Sequence, residues 1–132
     1  MKFPAHGHYR LRLCNNIFLL NAYDSWNKET AEALFDDMER LLAKSDIESF
    51  AKIIDATEWA LGTPEFERFA KEGIADLYNH GLKKEAYIVG SGGWKREQLL
   101  RITADRNETQ RRFFTNKRHA LLWLKSEGFS LS

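Results

Sequence analysis

Two stretches of this chain, Ile17-Phe18-Leu19-Leu20 and Ala86-Tyr87-Ile88-Val89, are apolar at every position. Neither has a polar face to turn to water. Each reads as a strand covered on both sides, and that is the situation of strands in a parallel sheet packed by helices. The segments between them change period. Ala31, Leu34, Phe35, Met38, Leu41 and Leu42 fall on one stripe of a helix, as do Phe66, Phe69, Ala70, Gly73, Ile74 and Leu77. Strand and helical periods therefore alternate, which restricts the chain to an α/β architecture with right-handed crossovers.

The remaining elements follow from local signals. His8 to Cys14 alternates Tyr9, Leu11 and Leu13 against Arg10 and Arg12, the pattern of an edge strand. Asn15-Asn16 suits a tight hairpin turn before Ile17. Asn27 caps the first helix. Ala51 to Asp55 is a short third strand. Thr63-Pro64-Glu65 opens the second helix with a cap, a proline in the first turn and an acid near the positive end. Gly81 closes it. A third helix runs from Trp94 to about Thr103. Arg112-Phe113-Phe114 is the last strand, and Asn116 starts a final helix closed by Gly128. The order is ββαβαβαβα: a mainly parallel five-stranded sheet with an antiparallel N-terminal hairpin strand and four helices. Leu34, Phe35, Met38, Leu41, Phe66, Phe69, Leu77, Ile88 and Leu124 form the expected core.

The chain has 132 residues, enough to bury about two-thirds of its unfolded surface as one domain over residues 1–132. The single cysteine, Cys14, excludes an internal disulfide and reads as structural. No apolar run approaches the ~18 residues of a membrane span and no signal-peptide pattern is present, so no membrane insertion and a cytoplasmic location are expected. Twenty basic against nineteen acidic side chains give +1, so no global field attracts nucleic acid. The balance is uneven along the chain: residues 21–80 carry 14 acids and 6 bases, residues 84–118 carry 9 bases and 4 acids. That is either a set of differently charged solvated faces or a two-sided surface suited to self-association or a charged partner.

The opening His8-Tyr9-Arg10-Leu11, Ile54-Asp55 ending the third strand, Leu61-Gly62-Thr63-Pro64-Glu65 opening the second helix, and Arg112-Phe113-Phe114 followed by Ala120-Leu121-Leu122-Trp123-Leu124 together form a pattern spanning nearly the whole chain. It resembles the STAS-like fold of anti-sigma-factor antagonists, the SpoIIAA-like group. It is closest to small stand-alone bacterial proteins of that group, which mostly lack an assigned function. The resemblance implies a non-enzymatic regulatory or protein-interaction module. In the antagonists, a serine at the start of the second helix is phosphorylated by a partner kinase. Thr63 lies nearest that position here, and Asp55 resembles the aspartate before it. The Asp-Ser-Ser-Gly run of that group is absent, and Pro64, Trp59 and Leu61 occupy the surroundings. Thr63 is also fully explained as a helix cap.

In an open parallel sheet, ligands bind beyond the carboxyl ends of the strands. Four segments are expected to meet there as loops: Tyr23 to Trp26, Thr57 to Trp59, Ser91 to Trp94 and Thr115-Asn116. They would bring Trp26, Trp59 and Trp94 to one rim, either as a recognition surface or pocket or as a lid on the core. Ser91, Gly92 and Gly93 open a helix whose free N–H groups suit an anion, with Lys95, Arg96 and Arg101 nearby, though a flexible turn needs only the glycines. The rim gives the alternative function, a carrier or sensor of a small anionic or lipid-like ligand.

Other constellations are weaker. His6 and His8 lack a third metal ligand nearby, so no metal site and no cofactor are expected. Asp24 and Glu58 are a conceivable acid/base pair, but no nucleophile–base–orienter set assembles and no catalytic residue is assigned. His80 and His119 read as solvated. Arg106, Arg111, Arg112, Lys117 and Arg118 form a basic cluster, read as a solvated face rather than a nucleic-acid site. The expected partner is a protein or a second copy of the chain, in a closed dimer.

Overall fold

A computed structural model describes residues 7–90 and 93–132. Its elements are β1 (His8–Cys14), β2 (Ile17–Trp26), α1 (Lys28–Ala43), β3 (Phe50–Gly62), α2 (Pro64–Asn79), β4 (Leu82–Ile88), α3 (Gly93–Ile102), β5 (Arg111–Phe114) and α4 (Lys117–Ser126). The five strands lie in sequence order. β1 pairs antiparallel with β2, with Cys14 opposite Ile17 and His8 opposite Tyr23, and the other pairings are parallel. Asn15 makes the hairpin turn at φ 54°, a conformation asparagine tolerates better than most residues.

The three crossovers all step the same way across the sheet. A right-handed connection then sends each helix to the same side. α1, α2 and α3 accordingly bury Leu34, Met38, Phe66, Ile74, Leu77 and Leu99 against Phe18, Leu20, Ile54 and Tyr87. α4 follows the last strand and covers the opposite face, where Trp123 and Leu124 lie on Ile17, Leu19, Ile53 and Ile88. Beyond α4, Gly128 turns the chain back at φ 95°. The tail is then clasped by the first hairpin: Ser130 N donates to Asn16 Oδ1 at 3.0 Å and Asn15 Nδ2 donates to Ser130 O at 3.0 Å.

The expected caps hold. Asn27 Oδ1 accepts from Thr30 N at 3.1 Å, Thr63 Oγ1 from Phe66 N at 3.1 Å and Asn116 Oδ1 from His119 N at 2.9 Å. Among the described residues no helix is long and apolar enough to cross a membrane.

Two expectations need correction. β2 and β3 run 10 and 13 residues, so Tyr23 to Trp26 and Thr57 to Trp59 are strand rather than rim loop. The register shifts between Asn21 and Tyr23 and again between Asp24 and Trp26. Each irregularity breaks the period of two by which a strand is read. Phe35, Leu41 and Phe69 are only half-buried. They sit at the outer margin of the helical layer, while Leu34, Met38, Phe66, Leu77, Ile88 and Leu124 are buried as expected.

Candidate functional site

The carboxyl ends of β2 and β3 meet the start of α2, and the three tryptophans separate there. Trp26 is 5 % exposed and Trp59 3 %, whereas Trp94 is 78 % exposed. Trp26 and Trp59 thus belong to the core lid and not to a recognition rim. The reason is Phe66, whose ring is 5.9 Å from Trp26 and 6.0 Å from Trp59. The pair is drawn in by this shared aromatic contact. Trp26 Nε1 donates to Tyr23 O at 2.9 Å, while Trp59 Nε1 is buried without a partner among the described residues. Beneath the two indoles lies a cavity of about 50 Å³, walled by Leu34, Phe66 and Ile74 and, at a polar point, by Lys52.

α2 starts from a constrained turn. Leu61 has φ 86°, a left-handed conformation costly for a branched side chain. The next residue must be glycine, because a Cβ on Gly62 would lie 2.0 Å from the Phe66 ring. Gln98 of α3 clamps the turn. Its Oε1 accepts from Gly62 N at 2.9 Å and its Nε2 donates to Gly62 O at 3.0 Å. Arg101 then reaches Glu67 at 3.1 Å. These contacts fix α3 against α2 and leave Trp94 standing over an open groove of about 510 Å³, bordered by Leu61, Pro64, Arg68, Glu97 and Arg101. Thr63, exposed, stands between Gly62 and Pro64, which both line this groove. Its hydroxyl oxygen accepts the capping bond and its backbone N–H donates to Trp26 O at 3.0 Å.

The expected anion site fares differently. Ser91 and Gly92 lie outside the described residues, and Gly93 is the first residue of α3. The cations near it are engaged elsewhere. Lys95 Nζ donates to Ala56 O at 3.1 Å and Thr57 O at 2.6 Å, and Arg96 stacks 4.6 Å over Phe113.

Asp24 and Glu58 stand near each other on β2 and β3, both exposed. Asp24 faces His8 instead, Nδ1 to Oδ2 3.2 Å, and the His8 ring stacks on Tyr23 at 4.8 Å. His6 lies outside the described residues. Among the described residues no three metal-ligating side chains cluster. His80 Nδ1 sits 2.7 Å from Asp76 O at the end of α2. Cys14 is half-buried against the α4 face.

The basic cluster is also divided. Arg111 is 5 % exposed, so it is not part of a solvated face. Its Nε donates to Thr103 Oγ1 at 2.9 Å, and its terminal nitrogens donate to Glu108 at 2.6 Å and Arg106 O at 3.1 Å. Arg106 stacks over Tyr78 and Arg112 over Trp123, at 4.0 and 5.1 Å.

Arg111 belongs to a feature that sequence reasoning missed. Lys52, Glu85 and Arg111 are register neighbours on β3, β4 and β5. They form a buried row of alternating charge under the helices. Lys52 Nζ lies 3.1 Å from Glu85, with side chains 4 % and 0 % exposed. Tyr87 donates to Glu85 at 2.7 Å. Burial, reinforced by this carboxylate, holds the Tyr87 and Tyr78 phenols well above their usual range. The signal was Lys52 among the apolar residues Phe50, Ala51, Ile53 and Ile54 of β3, with Glu85, of opposite sign, directly before the apolar run of β4.

Comparison with known proteins matches this architecture. A solved structure of an uncharacterized protein from the DUF3478 family, from Shewanella loihica PV-4, superposes with a TM-score of 0.67 over 94 % of this chain and 98 % of that one, at 18 % identity. It is described as having a SpoIIAA-like fold. The fold of this chain is SpoIIAA-like. No family model matches the sequence, and no curated protein does. The SpoIIAA-like fold is thus carried by topology at low identity.

Proposed function

We propose that this chain is a non-enzymatic regulatory or protein-interaction module, and that the groove beside the start of α2 is its contact surface. The observation that carries the reading is Trp94, 78 % exposed above a groove whose walls are fixed by the Gln98 clamp. An indole is a large, stiff anchor, and an interface built around it loses little side-chain freedom on binding. The border mixes Arg68 and Arg101 with Glu97, so a second copy related by a two-fold axis is a partner of suitable chemistry. Thr63 stands between Gly62 and Pro64 of this border, and a phosphate on it would add up to two negative charges at the start of α2. The test is sedimentation at low and high salt, with Trp94→Ala and, as a control on the opposite face of the sheet, Leu122→Ala. A dimer lost only with Trp94→Ala supports the reading. A wild-type monomer under all conditions removes the homodimer. A dimer indifferent to Trp94 removes the groove.

The alternative reading, a carrier or sensor of a small anionic or lipid-like molecule, has less support, because the cavity under Trp26 and Trp59 is only about 50 Å³ and its Lys52 is already paired with Glu85. Native mass spectrometry of freshly purified protein tests it: a co-purified small molecule lost with Ala70→Leu, which would fill the cavity, supports it, and bare protein alone opposes it.

A further inference from the structure

α1 and α2 bear matching stripes on their solvent side. Positions 35, 36 and 39 of α1 face 69, 72 and 76 of α2 across a groove of about 300 Å³. Its floor is aromatic: Phe35 and Phe69 are half-buried, with ring centroids 5.9 Å apart. Asp36, Glu39, Glu72 and Asp76 stand along its rim, all exposed. The helices approach closely because Gly73 has no side chain; a Cβ there would lie 2.6 Å from the Phe35 ring. A cation already rests on this floor, since Lys28 Nζ lies 5.8 Å over the Phe69 ring. The groove thus offers apolar, cation-attracting faces between two rows of carboxylates.

We infer that this groove docks a basic amphipathic helix of a partner protein. Rows spanning about 10 Å of helix axis take roughly two turns of a third helix. Its apolar anchors at i, i+3 or i+4, and i+7 rest on Phe35 and Phe69, and its lysines or arginines flank them towards the rim. Charge complementarity fixes the sign of the partner. The carboxylates steer a cationic segment in and repel an acidic one. A second copy of this chain is the less fitting occupant. Its suitable stripe, Arg118, Leu122 and Lys125 on α4, with Leu122 55 % exposed, lies on the opposite face of the sheet from α1 and α2. Pairing the two surfaces would build an open head-to-tail chain instead of a closed assembly. This surface is separate from the Trp94 groove and does not depend on it.

The test is fluorescence anisotropy with a labelled 16-residue helical peptide carrying leucines at i, i+4, i+7 and i+11 and lysines beside them. Two control peptides replace the lysines by glutamate or the leucines by alanine. Binding of the first peptide alone is expected, weakened roughly five- to tenfold by Asp36→Lys or Glu72→Lys and by high salt. Glu97→Lys, in the other groove, should change nothing. The inference is overturned if either rim variant binds as well as the unmodified chain. Equal binding of the alanine control overturns it too, since the floor then plays no part. So does assembly of the protein without peptide that is abolished by Leu122→Ala, because the occupant is then a second copy.

Discussion

Neutralising Glu85 alone in the buried row Lys52–Glu85–Arg111 should cost more than neutralising Lys52 together with it. Glu85 is fully buried, with its carboxylate 3.1 Å from Lys52 and hydrogen-bonded by Tyr87. Glu85→Gln keeps the shape and an acceptor for Tyr87 but leaves the Lys52 ammonium, 4 % exposed, facing no counter-charge. Orphaning a buried charge in this way costs about 3–5 kcal/mol. Lys52→Met should cost less, because the stranded carboxylate keeps the Tyr87 hydroxyl and has Arg111 as its register neighbour on β5. The double variant removes both charges and should recover much of the loss, since a buried pair exchanged for neutral groups of like volume is often close to neutral. The coupling read from the cycle should be about 1–3 kcal/mol in favour of the pair. Urea denaturation at pH 7, followed by circular dichroism on all four proteins, measures it. The reasoning fails if Glu85→Gln alone costs under about 1 kcal/mol, or if the double variant loses the full sum of the singles.

Further outcomes follow from single contacts. Tyr9, Tyr78 and Tyr87 all have phenols raised above their usual range by burial, with Asp37 adding to it for Tyr9 and Glu85 for the other two. The folded state therefore holds these protons longer than the unfolded one, so stability is full below about pH 10 and falls above it. Unfolding midpoints against pH should drop there, and less steeply in Tyr78→Phe; an unchanged slope would refute this. Thr63→Ala should lose about 1 kcal/mol, whereas Thr63→Asp should stay within about 1 kcal/mol because aspartate also caps; equal losses in thermal unfolding would contradict the cap. Phe66→Ala should cost about 3–5 kcal/mol as the ring between Trp26 and Trp59 goes. Phe69→Ala should cost clearly less, since that ring is half-buried; denaturation midpoints in the reverse order would contradict the placement. Gly62→Ala should cost about 1–3 kcal/mol by pressing on Phe66, read as a lower melting temperature without loss of helical signal.

What the sequence made legible was local chemistry. Thr63-Pro64 and Asn27 mark helix starts because capping is settled within three or four residues. The two helical stripes and two apolar strands are likewise short-range patterns. Where the outcome depended on distant residues, reading failed. Nothing near Trp26 or Trp59 says that Phe66 will gather both rings inward. The polar residues of Tyr23 to Ser25 hid the continuation of β2, because its irregularities are set by pairing with β3. Lys52 and Arg111 were legible only as charges. That Glu85 stands between them is a matter of register across three strands.

The two faces of the sheet also close at different moments in the making of the chain. During vectorial synthesis each crossover helix can settle on its strands soon after it emerges, and the α1–α3 side is assembled by the time Ile102 is made. The other side has to wait. Ile17, Leu19, Ile53 and Ile88 stay uncovered until α4 and Phe129 arrive, and Asn15 and Asn16 receive Ser130 last of all. A nascent or truncated chain ending near Thr115 therefore presents a bare apolar sheet beside an already formed helical layer. Such a half-covered intermediate is the species most prone to associate wrongly. The segment from α4 to Ser130 is what closes that face.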